Sequence, residues 1–182
     1  MKEKIEETVE IPSGIELELK GSEIIASKGS KKSKKSFKLK NLELKKDGNK
    51  IIIMAKKATK REKTMINTIK AHIKNMINGL NEDYVYKLEV VYLHFPITLE
   101  MNKTNNTLII KNFLGEKKPR ICKIVPGAEV ELGKNLIIIT SHDKEVAGQT
   151  MANIEKATKI RNRDRRKFQD GIFMTERAGR AI

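Results

Sequence analysis

A chain of 182 residues carrying a formal net charge of +15, with a sequence pI near 9.8, has room for one ordinary domain or two small ones and calls for a polyanionic partner. Its apolar residues, 38% of the total, fall in short periodic clusters that disordered chains rarely show; no apolar run approaches the ~20 residues of a bilayer-crossing helix, and the opening MKEKIEETVE has no signal-peptide core. A soluble, cytoplasmic protein with no membrane role is expected, and with Cys122 as the single cysteine and no spacing motif among His72, His94 and His142, neither a disulfide nor a metal site is expected.

In chain order, the first strand candidates are Val9–Ile11, Ile15–Leu19, Glu23–Ser27, Ser36–Leu39, Leu42–Lys45 and Lys50–Ala55, broken by Gly21, Gly29 and Asp47-Gly48-Asn49. The period then changes. Met65, Ile66, Ile69, Ile73, Met76, Ile77 and Leu80 recur at three-and-four spacing, which predicts an amphipathic helix stopping around Gly79, with Asn81-Glu82-Asp83 as a linker. Strands are predicted again at Tyr84–Leu93, Ile97–Met101, Thr107–Lys111, Arg120–Ile124, Glu129–Leu132 and Leu136–Ser141. A second helix follows from about Lys144 to Lys159, N-capped by Asp143. Gly148 inside that helix is costly by up to ~1 kcal/mol relative to Ala, so a strand or an RNA backbone should approach it closely.

The two halves repeat. At an offset of 86 residues, Ile51-Ile52-Ile53 falls on Ile137-Ile138-Ile139, Thr64-Met65 and Asn67 on Thr150-Met151 and Asn153, and Lys70-Ala71 on Lys156-Ala157. This is a domain duplication, because solenoid repeats are shorter and need three or more copies. The expected fold is α+β: two tandem duplicated domains, 1–81 and 82–160, each of small β-sheets packed around one α-helix, followed by a basic C-terminal extension, 161–182.

Charge separates these regions. Residues 1–81 carry a net +10, residues 82–158 a net of zero and residues 159–182 a net +5. Lys28, Lys31, Lys32, Lys34, Lys35, Lys38 and Lys40 form one basic focus in a Gly/Ser-bearing stretch that reads as a loop running into a strand. Lysine alone suits either loose phosphate attraction or solubility, and both readings stay open. The second focus, Lys159-Ile160-Arg161-Asn162-Arg163-Asp164-Arg165-Arg166-Lys167-Phe168, differs in kind: six of the eight arginines follow residue 160, although lysines number 30. Planar guanidinium groups grip phosphate bidentately and stack on bases, so this segment reads as an RNA-binding element. Phe168 either stacks on a base or caps the adjoining core; with aromatics at 4% and no Trp, base stacking cannot be the main binding mode. The end of the chain, Phe173–Ile182, has too little apolar surface to fold alone and is expected to order on a partner.

No catalytic constellation emerges. Gly127 to Asn135 only superficially resembles a phosphate-binding loop, since Asn135 stands where Ser or Thr should hold magnesium. Ser141, His142 and Asp143 are hydrolase residue types, but sequence neighbours at a strand end point in different directions and suit turn and capping roles. Glu129 and Glu131 share a strand face without the contrasting environments of an acid–base pair. No catalytic residue, cofactor or small-molecule substrate is expected. A DNA-compacting chromatin protein would show uniform lysine cover, which the clustered arginines oppose, and an RNA-modifying enzyme would need a nucleophile, a metal set or a cofactor loop.

The segment Asp143-Lys144-Glu145-Val146-Ala147-Gly148-Gln149-Thr150-Met151-Ala152-Asn153-Ile154-Glu155, continuing through Lys159-Ile160-Arg161, Arg163-Asp164-Arg165-Arg166 and Phe168-Gln169-Asp170-Gly171-Ile172-Phe173, resembles the C-terminal signature of the large-subunit L-six ribosomal protein family in its archaeal and eukaryotic branch. Asn112-Phe113-Leu114-Gly115-Glu116-Lys117 with Pro119-Arg120 is similar to that family's second-domain loop; copy one matches more loosely. The resemblance implies two domains of one build and a structural role in assembly and translation. It also implies binding to large-subunit rRNA near the factor-binding region, beside the sarcin-ricin loop and the stalk base, with neighbouring large-subunit proteins as further partners. The resemblance puts Lys144, Gln149 and Asn153 on the RNA side of the second helix, together with Arg161, Arg163, Arg165 and Arg166. Lys117 and Arg120 join from the second-domain loop. Lys159, Lys167, Arg177 and Arg180 extend this set, and Lys31, Lys32, Lys34 and Lys35 are possible contacts in copy one.

Overall fold

The computed structural model describes residues 3–182 and divides into two compact units, one ending at Asp83 and one beginning at Tyr84. In the first unit, β1 (Glu3–Glu10), β6 (Lys50–Ala58) and β5 (Glu43–Asp47) form an antiparallel sheet in the order β1-β6-β5. A meander of β2 (Glu16–Lys20), β3 (Glu23–Lys28) and β4 (Lys31–Ser36) forms a second sheet, and the helix α1 (Lys60–Asn81) packs on both.

The second unit repeats this plan. β7 (Tyr84–Val91), β12 (Leu136–Ser141) and β11 (Glu129–Leu132) take the places of β1, β6 and β5. The meander of β8 (Thr98–Asn102), β9 (Thr107–Lys111) and β10 (Arg120–Lys123) replaces β2-β3-β4, and α2 (Lys144–Ala157) replaces α1. The sequence duplication is therefore a duplication of the α+β fold.

Period-2 burial builds the sheets. Along β6, Ile51, Ile53 and Ala55 are buried while Ile52 and Met54 are partly covered; β12 repeats this with Ile137 and Ile139 buried around Ile138. The triple isoleucines that revealed the repeat thus lie on an interior strand of each sheet, paired on both sides. Ile66, Ile69 and Ile73 of α1 are fully buried against them in the first unit, and Ala147 and Ile154 of α2, flanked by the largely buried Met151, in the second. Burying a side chain of this size contributes about 1.5–3 kcal/mol.

Several boundaries differ from the sequence reading. β1 begins at Glu3, well before Val9, because Glu7 occupies a partly covered slot where its carboxylate accepts from Lys70 on α1; a charge there hides the alternation of Ile5 and Val9. α1 starts at Lys60 and runs past Gly79 to Asn81. Its start is fixed by Thr59 and Glu62: the Glu62 carboxylate accepts the Thr59 backbone N–H at 2.9 Å and the Thr59 hydroxyl, and these bonds, hydroxyl first, hold the Glu62 carboxyl down to about 2. The expected strand at Ser36–Leu39 lies instead at Lys31–Ser36, so the lysine run is itself a strand.

The largest difference is at the C-terminus. Phe173–Ile182 does not wait for a partner: β13 (Gly171–Arg177) pairs antiparallel with β7, and β14 (Arg180–Ala181) closes a hairpin on it, extending the sheet to β11-β12-β7-β13-β14. β1, the counterpart of β7 in the first unit, has no such neighbour among the described residues. In the second unit the exposed edge of β7 is a ready hydrogen-bonding template, and Ile172, fully buried, supplies the apolar anchor.

Candidate nucleic-acid interface

Between α2 and β13 the chain makes an irregular excursion, residues 158–170, whose two ends are fastened by buried polar groups. At one end the buried Thr158 hydroxyl accepts the Ile172 backbone N–H at 3.1 Å. At the other, Asp170, 1% exposed, accepts the backbone N–H groups of Leu93 (3.2 Å) and His94 (3.3 Å) and lies 3.0 Å from His94 Nδ1. Burial pushes the Asp170 carboxyl up, but the bonds from the His94 ring and the two amides outweigh it and leave the group below its ordinary value.

Inside the excursion Asp164 organises a tight turn, its side chain accepting the Arg166 N–H at 3.0 Å and its carbonyl the N–H groups of Lys167 and Phe168 at 3.1 and 3.0 Å. Lys159, Arg161, Arg163, Arg165, Arg166 and Lys167 are all exposed along it. Phe168 is half-buried. Its ring packs on the His94 ring, centroids 5.1 Å apart, and carries the Arg163 guanidinium 5.0 Å from its centroid, so it braces the loop as well as touching the core.

α2 contributes a polar face. The Asp143 carboxylate caps the helix by accepting the Glu145 N–H at 2.8 Å. Gln149 donates to Asn153 Oδ1 at 2.8 Å and Asn153 to the Lys123 carbonyl at 3.1 Å, so this pair is oriented by β10. Lys144 rests 5.5 Å from the Tyr84 ring centroid. What approaches Gly148 is a strand residue: a Cβ there would meet the Tyr86 hydroxyl at 3.5 Å, an ordinary contact.

Arg120 is placed differently. Its guanidinium binds Glu116 through two bonds of 2.8 and 2.6 Å, donates to the carbonyls of Ala157 (2.8 Å) and Lys159 (3.2 Å), and lies 4.3 Å from the Phe113 centroid. It clamps the C-terminal end of α2, where the basic excursion departs, to the second-domain loop, and its donors face the protein itself. Lys117 is exposed on that loop. Arg177 and Arg180 stand opposite one another across the β13–β14 hairpin, a like-charge pair that repels in isolation and that an anion would relieve.

In the first unit the lysine strand is partly neutralised by its own surroundings. Lys31 pairs with Asp83 at 2.7 Å, Lys34 with Glu23 at 2.8 Å, and Lys35 lies 2.8 Å from His72 Nδ1. Lys32 projects on the face where the register also places Glu16 and Glu18 of β2. The loop between α2 and β13 therefore carries Lys159, Arg161, Arg163, Arg165, Arg166 and Lys167, while Lys117, Lys144, Arg177 and Arg180 stand on other elements, and in the first unit Lys31, Lys32 and Lys34 lie among carboxylates and Lys35 beside a histidine.

The remaining chemistry-bearing residues have structural settings. The Ser141 hydroxyl donates to the Gly127 carbonyl at 2.8 Å and accepts the Asp143 N–H at 3.2 Å. Cys122 is buried and burial pushes its thiol up to about 11, so it stays protonated at neutral pH. We expect it to resist iodoacetamide at pH 7.5 in the native protein and to react at a free-thiol rate in urea, followed by mass spectrometry. Rapid native labelling would show that β10 opens readily. No helix among the described residues is long and apolar enough to cross a membrane, and no group of His, Cys, Asp and Glu among them could hold a metal ion.

The chain matches the family described as Ribosomal protein L6 over residues 11–83 and 95–171. It is 40% identical to the large ribosomal subunit protein uL6 of Methanococcus vannielii over 178 residues, 98% of this chain and 97% of that protein. It is also 40% identical to the uL6 of Methanothrix thermoacetophila over 177 residues, 97% and 99% of the two chains, and 39% identical to that of Methanobrevibacter smithii over 170 residues, 93% and 94%.

Proposed function

The chain belongs to the ribosomal protein L6 family, and from that membership we propose that the pinned basic loop is its principal rRNA-binding element. It is a structural, rRNA-binding protein of the large ribosomal subunit that serves assembly and translation, not an enzyme. The observation that carries the site assignment is the excursion fastened at Thr158 and Asp170, on which Lys159, Arg161, Arg163, Arg165, Arg166 and Lys167 are all exposed. A loop whose ends are fixed loses less entropy on binding than a free tail, and guanidinium groups suit irregular RNA surfaces.

Lys144, Gln149 and Asn153 on α2, Lys117, and Arg177 and Arg180 of the β13–β14 hairpin are assigned the same RNA-facing role. Arg120 acts on it by holding the end of α2 in place. Lys31, Lys32, Lys34 and Lys35 make weaker, longer-range contributions because carboxylates stand among them. We read this surface as facing large-subunit rRNA near the factor-binding region and stalk base, beside neighbouring large-subunit proteins in the cytoplasm, a reading that the family resemblance supports.

Sucrose-gradient fractionation tests the reading. The protein should sediment with large subunits at moderate salt and leave them only at high salt, because phosphate contacts weaken with ionic strength. A free pool indifferent to salt would contradict it.

A further inference from the structure

We propose that the cleft beside the basic loop receives one nucleotide extruded from the RNA, its base stacked on Phe173 and its phosphate held by Lys159 and Arg165. This rests on the RNA-binding reading of the loop and specifies what one part of it takes. The cleft has a volume of about 610 Å³, within the range of about 300–1,000 Å³ typical of small-ligand sites. Val91, Ile160, Ile172 and the rings of Phe168 and Phe173 supply its apolar walls, and Lys156, Lys159 and Arg165 line it as cations against the single exposed carboxylate of Glu155. Apolar walls beside a cationic rim complement a flat, weakly polar base joined to a phosphate.

Phe173 is the unexplained part of this cleft. It is 38% exposed in a chain with few aromatic residues, although the same strand buries Ile172 completely. The far end of its ring lies over Gly171: a Cβ at Gly171 would come within 2.8 Å of the ring's Cζ. The missing side chain at 171 lets the ring settle along the strand, so an aromatic surface is already positioned before any ligand arrives. Phe168 cannot play this part as freely, because His94 and Arg163 already pack on its ring. A single stack agrees with the low aromatic content, since the phosphate contacts still carry most of the affinity.

The test uses the full chain and purified large-subunit rRNA in filter binding between 50 and 200 mM salt. Phe173→Leu keeps apolar bulk but removes the aromatic plane, and is expected to weaken binding roughly 5- to 100-fold at every salt concentration with the salt slope unchanged. Phe173→Trp should bind like the parent. If the parent binds with a steep salt slope and Phe173→Leu binds equally well, the cleft proposal is overturned while the basic-loop reading stands. If the parent shows no salt-dependent binding, both fall. A second measurement does not depend on the variant's folding: amide NMR of the unmodified protein titrated with adenosine 5′-monophosphate or ribose 5-phosphate. Shifts at residues 172–174 with the nucleotide alone support base stacking, and identical patterns for the two probes overturn it.

Discussion

Replacing Arg163, Arg165 and Arg166 together by alanine is expected to lower the slope of log affinity for large-subunit rRNA against log salt by about 0.7–0.9 for each phosphate that is no longer neutralised, hence by about 2 to 3 in all. The three side chains are exposed on the turn organised by Asp164, whose hydrogen bonds run to backbone groups and survive the substitutions. Stability in urea should therefore change by no more than about 0.5 kcal/mol at Arg165 and Arg166, and by about 0.5–1 kcal/mol at Arg163, whose guanidinium packs on the Phe168 ring. Filter binding across a salt series separates this outcome from a folding defect. An unchanged slope would remove the loop from the interface.

Asp170→Ala should have the largest effect on the free protein. The substitution leaves the Leu93 and His94 amides and the His94 ring without their buried carboxylate partner, at about 1–3 kcal/mol in all, because Leu93 and His94 themselves are exposed and water can reach part of what is left. A loss of about 1–3 kcal/mol in urea unfolding is expected, whereas the salt slope of RNA binding should be preserved because no cation is removed. The same group gives a pH dependence. Its folded-state carboxyl titrates below its ordinary value, so its contribution is complete above about pH 4, the unfolded value, and disappears as pH falls through the lower folded value. An Asp170→Ala protein should lose this part of its acid sensitivity. Equal stability of the two proteins at pH 7 would show that the excursion is not fastened there.

Taken together, the two substitutions separate the cations proposed to touch RNA from the groups that hold them in place. Arg120 belongs with Asp170 in the second group. Its sequence setting, a cation in a loop similar to the family's, gives no indication that Glu116 and the carbonyls of Ala157 and Lys159 already take its donors. Nor does a run of lysines disclose that Asp83, fifty-two residues along the chain, and Glu23, across the sheet, face two of them.

The sequence by itself determined the duplication, the α+β class, the two helices and the arginine-rich focus, because each is written in local order. Alternating and three-and-four apolar spacing reports which face of an element is buried, and a repeat copies that spacing. The capping signal Thr59-Lys60-Arg61-Glu62 is equally local, and it marks the start of α1 where the apolar period alone does not. Only the tertiary structure decided which cations remain exposed, that the last residues complete a sheet, and that a loop of positive charge is fastened at both ends. Each of these depends on partners distant in sequence: β7 offers an open edge to β13, and Asp170 reaches amides seventy-six and seventy-seven residues earlier. Hydrogen bonding and charge pairing act over a few ångströms of space whatever the separation along the chain, so folding, not local composition, assigns their partners.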